Sequence, residues 1–169
     1  EGLSVHLPNE EGEDVVLVAG KRDYEKKIFN DETNTAMCKA FLDNALYDPL
    51  SEKLGTPLIG KSILFCVSQK HAGKITQILN QLASQRWPSL YSQSDFATQV
   101  TSFVYESQQM TIHFSNNKLG GQSPSPSGYE TSKTRVCVTV GMMTTGYDCP
   151  DILNLALMRP VFSPSEFIQ

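Results

Sequence analysis

A chain of 169 residues with 40% apolar content can bury one sizeable core but hardly two. Its net charge of -4 and pI near 5.3 argue against a broad basic face for nucleic acid, so any DNA contact must be few and local, made by helix N-termini and loop amides. No run of eighteen apolar residues is present to span a membrane, and no basic, apolar leader follows Glu1.

In chain order, Leu3 to Leu7 alternates apolar and polar residues, Glu10 to Asp14 makes an acidic turn, and Val15 to Val18 is apolar again. That pattern reads as a β-hairpin extension over residues 1–22. Lys21 to Asn30 is a mixed connector. Asn30-Asp-Glu-Thr-Asn34 offers caps for a helix carrying Ala36, Met37, Phe41, Leu42, Ala45 and Leu46 at helical spacing, ended by Pro49. Ser51 to Gly60 reads as a loop. Ile63 to Val67 is a continuous apolar run, as in a strand buried on both faces. Ser68 then caps an amphipathic helix marked by Ile75, Ile78, Leu79 and Leu82 and closed by Pro88. Ala97 to Val104 is rich in strand formers, and Glu106 to Asn116 predicts a short helix.

Asn117 to Thr134 holds Gly120, Gly121, Pro124, Pro126 and Gly128 among serines and is expected to be an exposed, mobile loop. Two strands follow, from Val136 and from Ile152 to Met158, and Ser163-Pro-Ser-Glu-Phe opens a further helix. Four strands separated by helical connectors imply an α/β fold with a mainly parallel sheet covered on both faces. The four cysteines, Cys38, Cys66, Cys137 and Cys149, have no C-x-x-C spacing and no paired histidines, so no metal site is expected. They read as reduced residues of a cytoplasmic protein, with Cys66 and Cys137 packed in the core.

Gly55 to Ser62 matches the phosphate-loop pattern G-x-x-x-x-G-K-[ST] in spelling only. That chemistry needs a strand entering and a helix leaving, so that amide dipoles converge on the phosphates. Here a strand leaves, and Pro57 stiffens the loop. Changing Lys61 to alanine is therefore expected to leave any ATP-linked property of the parent protein nearly intact.

Arg135 to Pro150 carries the most functional information. A β-branched run (Val136, Val138, Thr139, Val140) empties into a glycine-bracketed loop bearing Thr144, Thr145 and Asp148. Phosphates and nucleotides sit at that carboxyl edge in open α/β sheets. A plain strand-loop-strand connection has the same pattern.

Three pieces taken together carry a family resemblance. They are Gly60-Lys-Ser-Ile-Leu-Phe-Cys-Val-Ser-Gln-Lys-His-Ala72, Thr144-Thr-Gly-Tyr-Asp-Cys-Pro150 and Arg159-Pro-Val-Phe-Ser-Pro-Ser-Glu-Phe-Ile-Gln169. In this order they resemble the R (restriction, motor) subunit of type I restriction endonucleases and, more broadly, the second RecA-like domain of superfamily-two helicases and translocases. The resemblance implies a RecA-like three-layer sandwich over residues 23–169, cut at the start of motif VI at Gln169, as in a piece of a longer polypeptide.

It also implies roles. Phe65 to Ser68 resembles motif IV, with Ser68, Gln69 and His71 as exposed DNA-binding candidates. Thr101 and Ser102 occupy a phosphate-touching strand end, and Gln108, Gln109 and Phe114 resemble the helix before motif V. Thr139 to Asp148 resembles motif V, with Thr139, Thr144 or Thr145 touching the tracked strand and Gly146 and Asp148 facing the nucleotide.

No catalytic residue and no metal ligand is expected in this piece. ATP and Mg belong to the full-length protein. The implied partners are double-stranded DNA, the first RecA-like domain of the same polypeptide, and the modification and specificity subunits of a bacterial or archaeal complex.

Blander roles compete at each point. His71 would equally cap or pack at a helix start, and Asp148 would cap its own turn. Met142 and Met143 would fill core, and Trp87 would be an anchor beside Pro88. The competing functions are another superfamily-two repair helicase or remodeller, and a stand-alone nucleotide-binding module built on Gly55 to Ser62.

Overall fold

Lys61–Cys66 forms the strand β3, and every one of its residues is buried. Alternate side chains enter two separate cores, Leu64 and Cys66 on one face and Ile63 and Phe65 on the other. A fully buried side chain of that size stabilises the fold by about 2 kcal/mol, which explains the lack of polar alternation. The computed structural model describes residues 3–8, 14–19, 30–53, 55, 57–121, 129–144 and 146–160.

Strands β1 (Leu3–Pro8) and β2 (Asp14–Ala19) pair antiparallel as the expected hairpin. The main sheet adds β4 (Ala97–Gln99), β5 (Val136–Thr139) and β6 (Ile152–Met158) to β3, in the order β4-β5-β3-β6. All three pairings are parallel. Helices α1 (Asp31–Asn44) and α3 (Gln69–Arg86) pack on one face through Cys38, Leu42, Ala72, Ile75, Leu79 and Ala83. Helix α4 (Ser107–Ser115) packs on the other through Phe114, beside Val100, Cys137 and Met143. The chain thus has an α/β fold with a RecA-like arrangement of layers. No helix among the described residues is long and apolar enough to cross a membrane.

The caps act as their sequences imply. Asn30 accepts from the Thr33 amide at 2.8 Å, and Ser68 accepts from the His71 amide at 3.1 Å.

Several expectations are corrected. Helix α1 stops at Asn44, because Ala45 turns to extended backbone (φ -64°, ψ 136°) and Leu46 donates its amide to Asn154 instead. Pro49 opens a short helix, α2 (Pro49–Lys53), that runs into the stretch from Ser51 expected to be a loop, and its fixed φ suits a first turn. Strand β4 ends at Gln99, as the chain turns at Thr101.

The serine-rich stretch is only partly exposed at its ends. Leu119, Thr131, Ser132 and Thr134 are buried, with the Leu119 amide on Ser132 Oγ at 3.1 Å and the Thr134 amide on Leu119 O at 3.1 Å. Residues 122–128, the helix expected at Ser163, most of the Lys21 to Asn30 connector, Thr145 and Gln169 lie outside the described residues. Coverage of the sheet also fails at β6. Leu155 and Leu157, paired with Ile63 and Phe65, remain exposed on the α4 face.

Candidate nucleotide and DNA edge

Because all four strands of the main sheet run the same way, the segments leaving β3, β4 and β5 emerge on one edge. That edge collects the residues singled out by sequence. After β3 come Ser68 and Gln69, both half-buried at the start of α3. After β4 come Thr101, which is buried, and Ser102, which is exposed. The Gln99 amide nitrogen donates to Gln69 O at 3.1 Å and Thr101 Oγ1 at 3.4 Å, tying the two exits together.

His71 sits inside rather than on the rim, which corrects its expected exposure. One ring nitrogen lies 3.1 Å from Asn34 Oδ1, and the other accepts from the Val67 amide at 3.4 Å. The ring joins α1 to the β3 exit. This is the packing role that competed with phosphate contact.

The exit of β5 has a more deliberate construction. Thr139 is buried, and its hydroxyl accepts from the Met142 amide at 3.1 Å. Met143 is buried at a left-handed φ of 60°, and Thr144 Oγ1 donates to Gly141 O at 3.2 Å from an exposed position. Tyr147 is half-buried and donates its hydroxyl to Thr111 O of α4 at 2.7 Å. Burial and the neighbouring Cys149 and Cys137 push its phenol well above the usual range. Anchors at 143, 147 and 149 therefore alternate with the outward residues Thr144, Gly146 and Asp148. Gly146 has φ 74°, and a Cβ there would meet no atom within 4 Å. A ligand's ribose or phosphate has room to approach this backbone, beside an exposed carboxylate. Among the described residues, no group of three His, Cys, Asp or Glu side chains could hold a metal ion.

Sequence reading missed the polar post behind this loop. Lys61, of the false phosphate loop, is buried in β3, with Nζ 2.9 Å from both Asp151 oxygens, 3.5 Å from Cys149 Sγ and 4.9 Å from the Phe114 ring centre. Cys149 Sγ donates to Asp151 at 3.1 Å, and burial pushes its thiol up to about 11.

A second missed group is Arg135, wholly buried. It donates to Ile59 O at 2.6 Å, Thr131 Oγ1 at 2.6 Å and Ser132 O at 3.1 Å, and pairs with Asp48 at 3.3 Å. Tyr129 also donates to Asp48. The hydroxyl at Thr131 was a hint, since it supplies an acceptor near the cation. At the β6 exit, the Arg159 guanidinium lies over the Phe65 ring at 5.9 Å.

Fold and edge together define an α/β protein with a loop-built, polar rim at the carboxyl ends of a parallel sheet. No family model matches the chain. It is similar to the type I restriction enzyme EcoKI endonuclease subunit of Escherichia coli (strain K12), with 26% identity over 145 residues. The match covers 83% of this chain, and the chain spans 10% of that relative's length.

Proposed function

We propose that this chain is a motor segment of a type I restriction endonuclease subunit, contributing half of an ATP cleft and part of a DNA-tracking surface. The observation that carries the reading is the loop from Gly141 to Cys149, where interior anchors alternate with an outward hydroxyl and an outward carboxylate. The similarity to the restriction subunit supports it over most of the chain. In this reading Asp148 faces the ribose, with Gly146 giving close backbone approach. Thr144, Ser68, Gln69 and Ser102 face the tracked strand of double-stranded DNA, together with the turn at Thr101. A companion RecA-like domain supplies the opposite wall and the phosphate-binding lysine. Closing and reopening that cleft moves one set of DNA contacts relative to the other. The modification and specificity subunits provide sequence recognition.

Lys61 argues against the stand-alone nucleotide module, since its ammonium is inside the sheet and bound to Asp151. The test is turnover. The purified chain is expected to neither hydrolyse ATP nor cut DNA. ATP hydrolysis above a mock preparation, abolished by Asp148→Ala, would sink the half-cleft reading. In a longer polypeptide containing this segment, Asp148→Ala should raise the KM for ATP, and Thr144→Ala should weaken DNA stimulation.

A further inference from the structure

Helix α3 carries a glycine, Gly73, in its second turn, half-buried against the sheet. In a helix interior glycine is less favourable than alanine, so its place there calls for a reason. Side chains of an α-helix lean back over the preceding turn, and a residue four places on shields the carbonyl that its own amide bonds. Gly73 leaves that carbonyl, Gln69 O, open. Gln99, the last residue of β4, fills the opening. Its Nε2 donates to Gln69 O at 3.1 Å and lies 3.4 Å from both Gln69 Oε1 and Thr101 Oγ1. A Cβ added at Gly73 would fall 3.2 Å from Gln99 Oε1. The glutamine therefore lies along α3 in the space that a side chain at 73 would take.

Holding α3 to β4 does not by itself require this link. Asn80, buried deeper in α3, already accepts from the Ala97 amide at 2.8 Å and donates to the Ala97 carbonyl at 2.9 Å. Gln99 adds a second fastening at the rim, where one nitrogen touches both the exit that holds Ser68 and Gln69 and the exit that holds Thr101 and Ser102. The polarity of the fastening has a direction. A donor aimed at the side-chain oxygen of Gln69 turns the amide nitrogen of that residue the other way. An outward donor suits a ligand that only accepts hydrogen bonds, such as a backbone phosphate.

We propose that Gln99 is a positioning residue for DNA: it holds Gln69 at the start of α3 and Ser102 after β4 as one unit, so that both meet the phosphate backbone together. Gly73 is the gap that admits it. The proposal rests on the DNA-tracking reading above and adds to it the residue that makes two contacts act jointly.

The test is a double-mutant cycle read as affinity for a labelled DNA duplex at low salt. Gln69→Ala, Ser102→Ala and their combination are compared in the wild-type chain and in a chain carrying Gln99→Met, which keeps a flexible side chain of similar length but removes the donor. Contacts held as one unit depend on each other. In the wild type the combined variant should therefore lose about fivefold less affinity than the two single losses multiplied. With Gln99→Met the single losses should simply multiply, while the protein melts close to the wild type because Asn80 still holds α3 to β4. Gly73→Ala reaches the same link from the other side. It should shrink the coupling yet melt no lower than the wild type, since alanine favours the helix, a combination that a purely structural link does not produce. Independent losses in the wild type, or undiminished coupling with Gln99→Met, overturn the positioning role and leave the DNA-tracking reading standing. A wild type that fails to bind the duplex, or single variants that bind it as the wild type does, overturn both.

Discussion

Replacing Asp151 by alanine and replacing Lys61 by methionine remove opposite halves of one ion pair, yet the two changes should differ in outcome. The Lys61 side chain is 1% exposed, whereas that of Asp151 is 45% exposed. Without the carboxylate, a buried ammonium keeps only the Cys149 sulfur at 3.5 Å and the Phe114 ring at 4.9 Å. Leaving one partner of a buried pair uncompensated costs about 3–5 kcal/mol. Solvent already screens this pair and two contacts remain, so Asp151→Ala is set at about 2–3 kcal/mol. Lys61→Met keeps a chain of similar length against Phe114 and lets the carboxylate turn to water, so its cost should stay within about 1 kcal/mol.

Urea unfolding followed by circular dichroism measures both, and a domain with about 5–15 kcal/mol of total stability resolves the difference. The double variant should recover most of what Asp151→Ala loses. A Lys61→Met loss equal to that of Asp151→Ala, or strict additivity in the double variant, would refute the argument. The pH dependence gives a second check. Burial pushes the Asp151 carboxyl up, but hydrogen bonds from Lys61 and Cys149 and the lysine's charge outweigh it and hold it below the usual carboxylate range. Its contribution is therefore complete above the unfolded value of about 3.9 and lost as pH falls through the lower folded value. The gap between wild type and Asp151→Ala should close in acid below about pH 4.

Arg135→Ala takes the cation from Asp48, which keeps its bonds from Tyr129 and Leu50, and removes four donor contacts, so about 3–5 kcal/mol should be lost in the same assay. A loss below 1 kcal/mol would mean the guanidinium only fills space. Two left-handed glycines should respond unequally to alanine. At Gly120 (φ 71°) a Cβ falls 2.2 Å from Thr134 Oγ1, so folding should fail, whereas Gly146→Ala should carry only backbone strain of about 1 kcal/mol. Comparable expression and melting of the two variants would contradict this contrast. Burial pushes the Cys38 and Cys66 thiols up to about 12 and Cys149 up to about 11. Folded values above the unfolded value of about 8.5 mean that stability is intact below that pH and falls as pH rises toward the folded values. The urea midpoint should accordingly decline above about pH 9, and a thiol reagent at neutral pH should label none of the four cysteines until the chain unfolds.

Elements decided by local chemistry were legible in the sequence. Ser68 and Asn30 cap because a short side-chain oxygen satisfies a first-turn amide wherever the helix is placed. The apolar run at Ile63 to Phe65 reads as a central strand because both faces must be buried. What escaped was decided by partners distant in the chain. Arg135 finds acceptors at Ile59 and Asp48, and Lys61 finds Asp151, contacts that no local window contains. Composition misled at Thr131 to Thr134, where hydroxyls that ordinarily face water instead serve a buried cation and the backbone of Leu119. His71 misled in the same way, since its ring answers Asn34, a residue of another helix. The segment from Thr139 to Asp148 was found by its residue types, but its alternation of anchors and outward groups depends on α4 and Lys61.

That alternation bears on how a signal would cross the edge. A shift imposed at Asp148 acts on Tyr147 next to it, whose hydroxyl holds the Thr111 carbonyl of α4. In the other direction Asp148 adjoins Cys149, which the lysine post fixes to β3. One end of the loop is therefore held to the sheet, and the other end can pull on α4. Rigid backing on one side and the Tyr147 hydroxyl's contacts with α4 on the other would direct displacement toward α4 rather than spread it into the sheet. In the proposed motor, ligand at the carboxylate would thus be coupled to α4 through Tyr147.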